Sequence, residues 1–317
     1  MAESKIPLIA VVGPTASGKT SLAVNICKYY GAEAVSCDSM QIYKGMDIAT
    51  AKPTEEEMQG IPHHLIGFVQ PDEPFSVAKY CETAKIVISD ITERNKKAVL
   101  VGGTGLYYNS LVDNIEFLPE ETDFEYRELL RKKAEEHGAG VLLKELFKID
   151  PKAAEELHEN NLGRIIRALE IHHTTGKTKT MQNEQSKRYP SPFKPIPICL
   201  DARDRQVLYD RINKRVDIML ETGLVEEAKA FFASDSGRTA RQAIGYKELN
   251  PYFKGESSLE ECIENLKMQT RRYAKRQLTW FRRDERINFL YIDDYDSADK
   301  LLYDAIKIIE RGLADER

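Results

Sequence analysis

The chain has 317 residues, 42% of them hydrophobic, so it is long enough for one large or two smaller domains with a substantial core. No apolar run approaches the roughly 20 residues that span a bilayer, which excludes a membrane-spanning helix. Five scattered cysteines without a C-x-x-C pair argue against a disulfide framework or a zinc site and favour a reducing, cytoplasmic location.

Basic residues are concentrated in two regions, although the formal net charge of the chain is −5. Residues 161–197 and residues 271–286 each carry seven lysines and arginines against two acidic residues. Binding to a polyanion depends on the number of phosphates that a protein contacts, not on its total charge. The two regions are therefore candidate RNA-binding surfaces in a chain that is acidic overall.

The first 112 residues repeat the order strand, loop, helix three times. This alternation is typical of a parallel, doubly wound α/β sheet. The predicted strands cover residues 6–12, 33–37 and 98–101, and the predicted helices cover residues 17–30, residues 76–93 and the stretch after the glycines at 102–105.

The loop after the first strand reads GPTASGKT and fits the phosphate-loop pattern G-x-x-x-x-G-K-[ST]. A buried strand, a glycine turn and a helix N-terminus aim several backbone N–H groups at one point, where Lys19 adds a full positive charge and the Thr20 hydroxyl can hold a metal ion. The loop is thus predicted to be a pyrophosphate cradle formed by Gly13, Pro14, Thr15, Ala16, Ser17, Gly18, Lys19 and Thr20.

The pattern changes after residue 117, where helical periodicity continues without a strand as far as a proline-rich stretch at 190–197. Strand and helix signals then resume, with strands predicted at 196–200 and 287–293 and helices at 204–221, 225–232, 259–283 and 298–311. We therefore expect an α/β core of residues 1–117 and 196–317, interrupted by an α-helical insertion domain of residues 118–195.

A phosphate loop by itself is also compatible with a nucleotide kinase or a small-molecule kinase. In kinases of this type an apolar strand usually ends in an acidic residue that helps to hold magnesium. Here the strand at 98–101 runs into glycines, and the carboxylate that follows a strand is Asp38. The insertion is also much longer than a kinase lid, and its arginines are spread over several helices.

Five segments, in this order over residues 6–284, resemble the bacterial tRNA dimethylallyltransferases: GPTASGKT, DSMQIYKGMDIATAKP, GGTGLYY, GRIIRALEI and AKRQLTWFRRD. The resemblance implies a kinase-like phosphate-loop core with a helical insertion. It further implies a prenyltransferase that moves a dimethylallyl group from dimethylallyl pyrophosphate to the exocyclic amino group of adenosine 37, next to the tRNA anticodon. A monomer would suit such an RNA clamp.

Allylic transfer needs positive charge around the leaving pyrophosphate, which the loop backbone, Lys19 and Mg²⁺ on Thr20 would supply. The resemblance places a further arginine on the pyrophosphate. Alignment through LYDRINKR selects Arg215, while Arg211, about one helical turn earlier, could reach the same place. Without the resemblance, both arginines would be interpreted as part of a solvated helix face.

The adenine amino group is a poor nucleophile, so a base must remove its proton as the new bond forms. The resemblance gives this role to Asp38, which could instead be only a magnesium ligand or a helix N-cap. Ser39, Met40 and Gln41 are expected to line the pocket for the extruded base, or else only to cap the turn.

A base of the anticodon loop must leave its stack to react, so the protein has to bind the surrounding RNA. The resemblance implies tRNA contacts at Thr104 and Arg127, and the basic regions add Gly163, Arg164, Arg167, Arg271, Arg272, Lys275 and Arg276. Trp280 and Phe281 are predicted to anchor a long helix in the core. Besides the kinase, a tRNA-binding module without catalysis remains an alternative.

Overall fold

The computed structural model describes residues 5–117, 122–234, 236–237 and 239–314. It divides the chain into one unit of Met1–Val112 with Ser191–Arg317 and a second unit of Asp113–Pro190. Both divisions fall five residues before the predicted boundaries, at 112 instead of 117 and at 190 instead of 195. The predicted first residues of the insertion, 118–121, lie outside the described residues.

The larger unit is an α/β core around a six-stranded sheet whose strand pairs are all parallel. Its strands, in the spatial order β3-β2-β4-β1-β5-β6, are β1 Ile6–Val12, β2 Glu33–Ser36, β3 His63–His64, β4 Ala98–Gly102, β5 Phe193–Asp201 and β6 Asn288–Tyr291. Strand β1 lies in the middle and the chain continues to both sides of it. Ligands of such sheets bind at the carboxyl ends of the strands beside this switch point.

The helices of the core are α1 Lys19–Tyr30, α2 Glu55–Met58, α3 Val77–Glu93 and α4 Gly105–Val112 before the insertion, and α10 Arg205–Glu221, α11 Leu224–Ala233, α12 Tyr246–Phe253, α13 Leu259–Phe281 and α14 Ala298–Ala314 after it. The insertion contributes α5 Phe124–His137, α6 Ala139–Ile149, α7 Pro151–Glu155, α8 Leu162–Thr175 and α9 Lys179–Ser186. None of the helices in the described ranges is long and apolar enough to cross a membrane.

Both faces of the sheet are buried, as expected for parallel strands. On one face Val11 and Ile198 pack with Ile26 of α1 and Ile309 of α14. The alternate residues of β1, such as Ala10, are fully buried on the other face, where α3 and α4 contact the strands. The predicted doubly wound sheet is thus confirmed.

The helical insertion has a hydrophobic core of its own, built from Leu130, Leu142, Leu146 and Ile165 among others. Asp150 accepts a hydrogen bond from the Ala153 N–H and so caps α7. Its carboxylate also accepts bonds from the backbone N–H and the hydroxyl of Thr180 at the start of α9. One buried acidic residue therefore ties two helices of this unit together.

Two strand predictions differ from the observed bounds by more than one residue at an end. Strand β5 begins at Phe193 rather than 196, so part of the proline-rich stretch belongs to the sheet. The Asn288 side chain donates a hydrogen bond to the Pro197 carbonyl, so the backbone of Pro197 faces β6 and not β1. Pro195, two residues earlier, faces the same way. Strand β6 pairs with β5 only from Ile198 onwards, so the N–H groups that these prolines lack would have had no partner in the sheet.

The last strand is also shorter than predicted, because β6 ends at Tyr291 and residues 292–294 form a single 3₁₀ turn. Strand β3 and helices α2 and α12 were not predicted, whereas α9 lies in the stretch for which helical periodicity was predicted. Helix α12 contains Pro251, a residue that usually ends helical patterns, which explains why its sequence does not read as a helix.

Candidate active site

The phosphate loop connects β1 to α1 and approaches the backbone of β5 closely. Gly13 has a φ of +135°, and a Cβ there would lie 2.6 Å from the Leu200 carbonyl oxygen, so only glycine fits. Gly18, with a φ of +90°, precedes α1, and in the described structure no side chain caps the start of this helix. The first N–H groups of α1 thus remain available to an anion.

A cavity of about 280 Å³ lies beside the loop and is lined entirely by residues of the α/β core. The four residues that were predicted to take part in the reaction, Lys19, Thr20, Asp38 and Arg215, all line it. The rest of its wall is largely apolar, with Ala49, Ile212, Val216, Met219, Ile244 and Leu266 among its members. The cavity therefore combines an anion-binding end with room for a small hydrocarbon.

The structure brings both candidate arginines to the loop. Arg215 lines the cavity and donates from Nη2 to the Ala51 carbonyl, at 3.3 Å. Arg211 is exposed, and its guanidinium lies 3.3 Å from the position that a Cβ on Gly18 would take. Only Arg215 belongs to the cavity lining, which favours it as the pyrophosphate ligand.

The positive charges of Lys19 and Arg215 lie close enough to repel each other. Burial, and next to it the charge of Arg215, lowers the pKa of Lys19 to about 8, although Asp38 acts in the opposite direction. Burial likewise lowers the pKa of Arg215. The Lys19 ammonium donates to the Pro14 carbonyl at 2.6 Å. An entering pyrophosphate would relieve the repulsion between the two cations.

Asp38 is half-buried at the end of β2 and has a fixed orientation. Its Oδ1 accepts hydrogen bonds from the N–H groups of Met40 and Gln41, at 2.9 and 3.3 Å. One carboxylate oxygen of Asp38 therefore caps the following turn, in agreement with one of the alternatives for this residue. Oδ2 takes part in neither bond, and the side chain faces the cavity, so capping and proton transfer are compatible.

The residues after Asp38 are tied to the second glycine turn and to the next loop. The Ser39 N–H donates to the Thr104 hydroxyl at 3.0 Å, and that hydroxyl donates to Ser39 Oγ at 3.3 Å. The Gln41 amide donates to the carbonyls of Thr50 and Ala51 and so fixes the adjacent loop. Ser39, Met40 and Gln41 line the cavity, whereas Thr104 supports its rim.

Gln277 of α13 is a site residue that the sequence analysis missed. Its Oε1 accepts a hydrogen bond from the Thr15 N–H, and its Nε2 donates to the Gly103 carbonyl, both at 2.9 Å. A Cβ on Gly103 would lie 2.1 Å from this Nε2. The side chain is buried within the apolar stripe of α13, and an amide in such a stripe is the signal that could have found it.

His63 and Ser36 also line the cavity without having been predicted as site residues. His63 Nδ1 pairs with the Ile61 carbonyl at 2.8 Å, and burial lowers the pKa of its ring. Its Nε2 and the Ser36 hydroxyl are buried and have no partner among the described residues. They are available to a bound substrate, and nothing in their sequence pattern indicates this.

The basic face of α13 is formed by Arg272, Lys275 and Arg276, which are all exposed. Arg271 instead donates to Asn213 Oδ1 of α10, at 2.6 Å, and thus holds two core helices together. The prediction that Trp280 and Phe281 are core anchors is confirmed. Trp280 Nε1 donates to Asn109 at 2.5 Å, and Phe281 is 1% exposed.

Arg127 and Arg167 of the insertion share one internal partner, Glu170, which is fully buried. Arg127 binds both carboxylate oxygens at 2.7 Å, and Arg167 binds Oε2 at 2.5 Å. Burial alone would raise the pKa of Glu170, but the two guanidinium groups outweigh it and keep the pKa low. Both arginines thus have a structural role, and their contact with tRNA remains a prediction.

A groove of the insertion is lined by Arg127, Arg131, Gly163 and Arg167, among others. Gly163 and Arg164 are exposed at the start of α8. The groove carries three arginines against one acidic residue, Glu135. All three arginines are paired with acidic residues, two of them with Glu170 and Arg131 with Glu128. The tRNA contacts predicted for these residues remain predictions.

The side chains that line the cavity suit magnesium, which binds partly through substrate oxygens, better than a metal ion that is coordinated by protein side chains alone. The described residues contain no cluster of three or more His, Cys, Asp and Glu side chains that could hold a metal ion. Mg²⁺ usually keeps several waters and binds through one or two protein oxygens together with substrate phosphates. The Thr20 hydroxyl, beside the anion-binding end of the cavity, fits this manner of binding.

Together, the fold and the cavity define a phosphate-loop α/β enzyme with a helical insertion. The model of a protein family described as IPP transferase matches residues 41–284. The chain belongs to this IPP transferase family.

Curated relatives of this chain are named tRNA dimethylallyltransferase. The relative from a Thermoanaerobacter species is 48% identical over 309 residues, which cover 96% of this chain and 98% of that protein. The relative from Acetivibrio thermocellus is 48% identical over 297 residues, which cover 93% and 95% of the two chains.

Solved structures agree with this assignment. A tRNA isopentenylpyrophosphate transferase from Bacillus halodurans is 43% identical, with a TM-score of 0.73 and coverage of 98% and 99% of the two chains. A tRNA delta(2)-isopentenylpyrophosphate transferase from Staphylococcus epidermidis is 39% identical, with a TM-score of 0.70 and coverage of 97% and 100%. A eukaryotic dimethylallyltransferase described as acting on tRNA is 27% identical, with a TM-score of 0.78 and coverage of 96% and 80%.

Proposed function

We propose that this protein transfers a dimethylallyl group from dimethylallyl pyrophosphate to the exocyclic amino group of the adenosine immediately 3′ of the anticodon in tRNA. Membership of the family supports prenyl transfer to tRNA over phosphoryl transfer by a kinase. The observation that carries the proposal is the composition of one cavity. Lys19, Arg215 and Asp38 line the same space as a largely apolar wall, as a small allylic pyrophosphate and a nucleophilic amine require.

The pyrophosphate leaves with growing negative charge, which groups already in place must stabilise. The N–H groups at the start of α1, the Lys19 ammonium and the Arg215 guanidinium have this role. A magnesium ion held by Thr20 and the substrate oxygens would add further positive charge. The apolar wall holds the dimethylallyl group and keeps water away from its electron-poor first carbon.

Transfer breaks the bond between that carbon and the pyrophosphate oxygen and forms a bond to the adenine nitrogen. The nitrogen must lose a proton in the same process. Asp38 Oδ2 accepts it, while Oδ1 stays bonded to the turn at Met40 and Gln41. General-base assistance of this kind contributes about 10²–10⁴-fold to the rate.

The reactive adenine enters the cavity after leaving its stack, at a cost of a few kcal/mol. Contacts to the neighbouring phosphates offset this cost. The exposed cations of α13 and Thr104 in the core supply such contacts, as do the arginine-lined groove, Gly163 and Arg164 in the insertion. The protein would act as a monomer in the cytoplasm, where tRNA is available.

The test is incubation of the protein with unmodified tRNA, Mg²⁺ and radiolabelled dimethylallyl pyrophosphate in the absence of ATP. We expect label in acid-precipitated RNA, and after digestion in a modified adenosine. A tRNA shown to be a competent acceptor, yet unlabelled in the presence of folded protein, would contradict the proposal. Transfer of phosphate from ATP would then support the kinase alternative.

A further inference from the structure

Glu227 of α11 is surrounded by hydrogen-bond donors. Its Oε2 accepts from the backbone N–H groups of Asp47 and Ile48, at 2.9 and 2.8 Å. Its Oε1 accepts from the N–H of Ala49 at 2.9 Å and from the Tyr246 hydroxyl at 2.8 Å. Three successive N–H groups that converge on one point form an anion site. Here the protein itself supplies the anion.

The segment that Glu227 holds, residues 47–51, forms part of the cavity. Ala49, Thr50 and Ala51 are all in the lining. The Ala51 carbonyl also accepts the hydrogen bond from Arg215, the arginine proposed to bind the pyrophosphate. The position of this segment therefore affects both the apolar wall and the cationic end of the site.

Glu227 also connects this segment to a second stretch of the wall. Ala243, Ile244 and Gly245 line the cavity and lead into α12, whose first residue is Tyr246. The two stretches lie in close contact, because a Cβ on Gly245 would be 3.0 Å from the Ala49 Cβ. The bond from Tyr246 to Glu227 holds them together.

We propose that Glu227 is a positioning residue that sets the width of the apolar part of the cavity and the location of Arg215. It thereby determines which allylic chain is accepted and how tightly its pyrophosphate binds. This inference rests on the proposed function, which supplies the substrate class. Glu227 does not itself line the cavity.

A carboxylate suits this position because three of its four neighbours are backbone N–H groups, which can only donate. An amide of the same shape would place its NH₂ group against at least one of these N–H groups, which would lose its acceptor. Glu227→Gln is therefore a variant of the same size that loosens the segment. Glu226→Gln is the matched control, because Glu226 is the preceding residue of α11 and is exposed.

The first experiment compares steady-state kinetics with dimethylallyl pyrophosphate and with the longer geranyl pyrophosphate, at saturating tRNA. For Glu227→Gln we expect a rise of about tenfold in KM for dimethylallyl pyrophosphate, a smaller change in kcat and weaker discrimination against the geranyl chain. Tyr246→Phe, which removes one donor, should change both quantities less and in the same direction. Glu226→Gln should match the unmodified protein.

Equal losses with both chain lengths, or unchanged KM and selectivity in Glu227→Gln, would overturn the proposal. Should Glu227→Gln fail to fold, Tyr246→Phe decides: altered KM and selectivity support the positioning role, and unchanged values refute it. Circular dichroism and thermal unfolding of each variant identify the case that applies.

The second experiment measures the affinity of inorganic pyrophosphate with Mg²⁺, without tRNA, and so does not depend on transfer. Weaker binding in Glu227→Gln than in Glu226→Gln supports the role in placing Arg215, even if the unmodified protein transfers no prenyl group and the proposed function is wrong. Equal binding in the two variants refutes that role, whether or not transfer occurs.

Discussion

Asp38 is the only acidic side chain among the described residues that line the cavity, whereas Lys19, Arg215, Lys247 and Arg276 supply positive charge. This imbalance suits a polyanionic leaving group and leaves a single carboxylate to receive a proton. The half-buried position of Lys19 beside Arg215 makes its charge sensitive to pH, because both burial and repulsion favour the neutral amine.

We expect kcat/KM for dimethylallyl pyrophosphate to fall as the pH rises through about 8, the pKa of Lys19 in the free protein. Below this pH the side chain is a cation that binds pyrophosphate, and above it the neutral amine loses that attraction. Bound pyrophosphate favours the cation, so kcat at saturating substrate should fall only at higher pH. The measurement is the pH profile of both constants from the neutral into the alkaline range.

Lys19→Arg is the control for this profile, since a guanidinium stays charged throughout the range. Its activity should be lower, but its kcat/KM should not fall near pH 8. The same alkaline fall in Lys19→Arg would assign the titration to another group.

At the scale of elements, α13 contacts the active site with one face and solvent with another. Gln277 connects it to the phosphate loop and to the turn at Gly103. Tyr273 and Arg276 line the cavity, with the Arg276 guanidinium 5.6 Å from the Tyr273 ring. Exposed Arg272 and Lys275 lie on the same helix. A tRNA bound to this helix would thus contact an element that also supports pyrophosphate binding.

Replacing Arg272 and Lys275 together by alanine should weaken tRNA binding and flatten its salt dependence. Each lost phosphate contact lowers the slope of log K against log salt by about 0.7–0.9. The affinity for pyrophosphate should stay unchanged, because neither side chain lines the cavity. The measurement is tRNA binding at several salt concentrations.

The matched control is Lys300→Ala with Lys307→Ala, which removes the same charge from exposed positions of α14. It should leave the slope as it is. If the α13 and α14 variants have the same affinity and the same slope, the exposed face of α13 does not bind RNA.

At the scale of the whole molecule, the predictable features are those with a local signal. Examples are the apolar runs of β1 and β4 and the glycines, lysine and threonine of the phosphate loop, each of which is contained within a few consecutive residues. Such local signals predicted the parallel core, Lys19 and Thr20. The roles of Asp38 and Arg215 came from the family resemblance, and the four residues do line one cavity.

The features that could not be predicted arise from contacts between distant parts of the chain. Thr15 and Gln277 are 262 residues apart, and Glu227 meets the Asp47 backbone across 180 residues. Neither partner carries a local pattern that reveals the other. The early start of β5 was missed for a similar reason. Prolines are tolerated there because β6 does not pair with that part of β5, which is a property of the assembled sheet.

The central claim is that one cavity binds the allylic pyrophosphate and removes the proton of the adenine amine at Asp38. Asp38→Asn tests it most directly, measured as single-turnover transfer to tRNA with the binding of pyrophosphate and tRNA determined in parallel. The asparagine can still accept the N–H bonds of Met40 and Gln41 but cannot take up a proton. We predict near-normal binding and a loss of about 10²–10⁴-fold in the rate of transfer. Transfer at the unmodified rate would show that Asp38 is not the base.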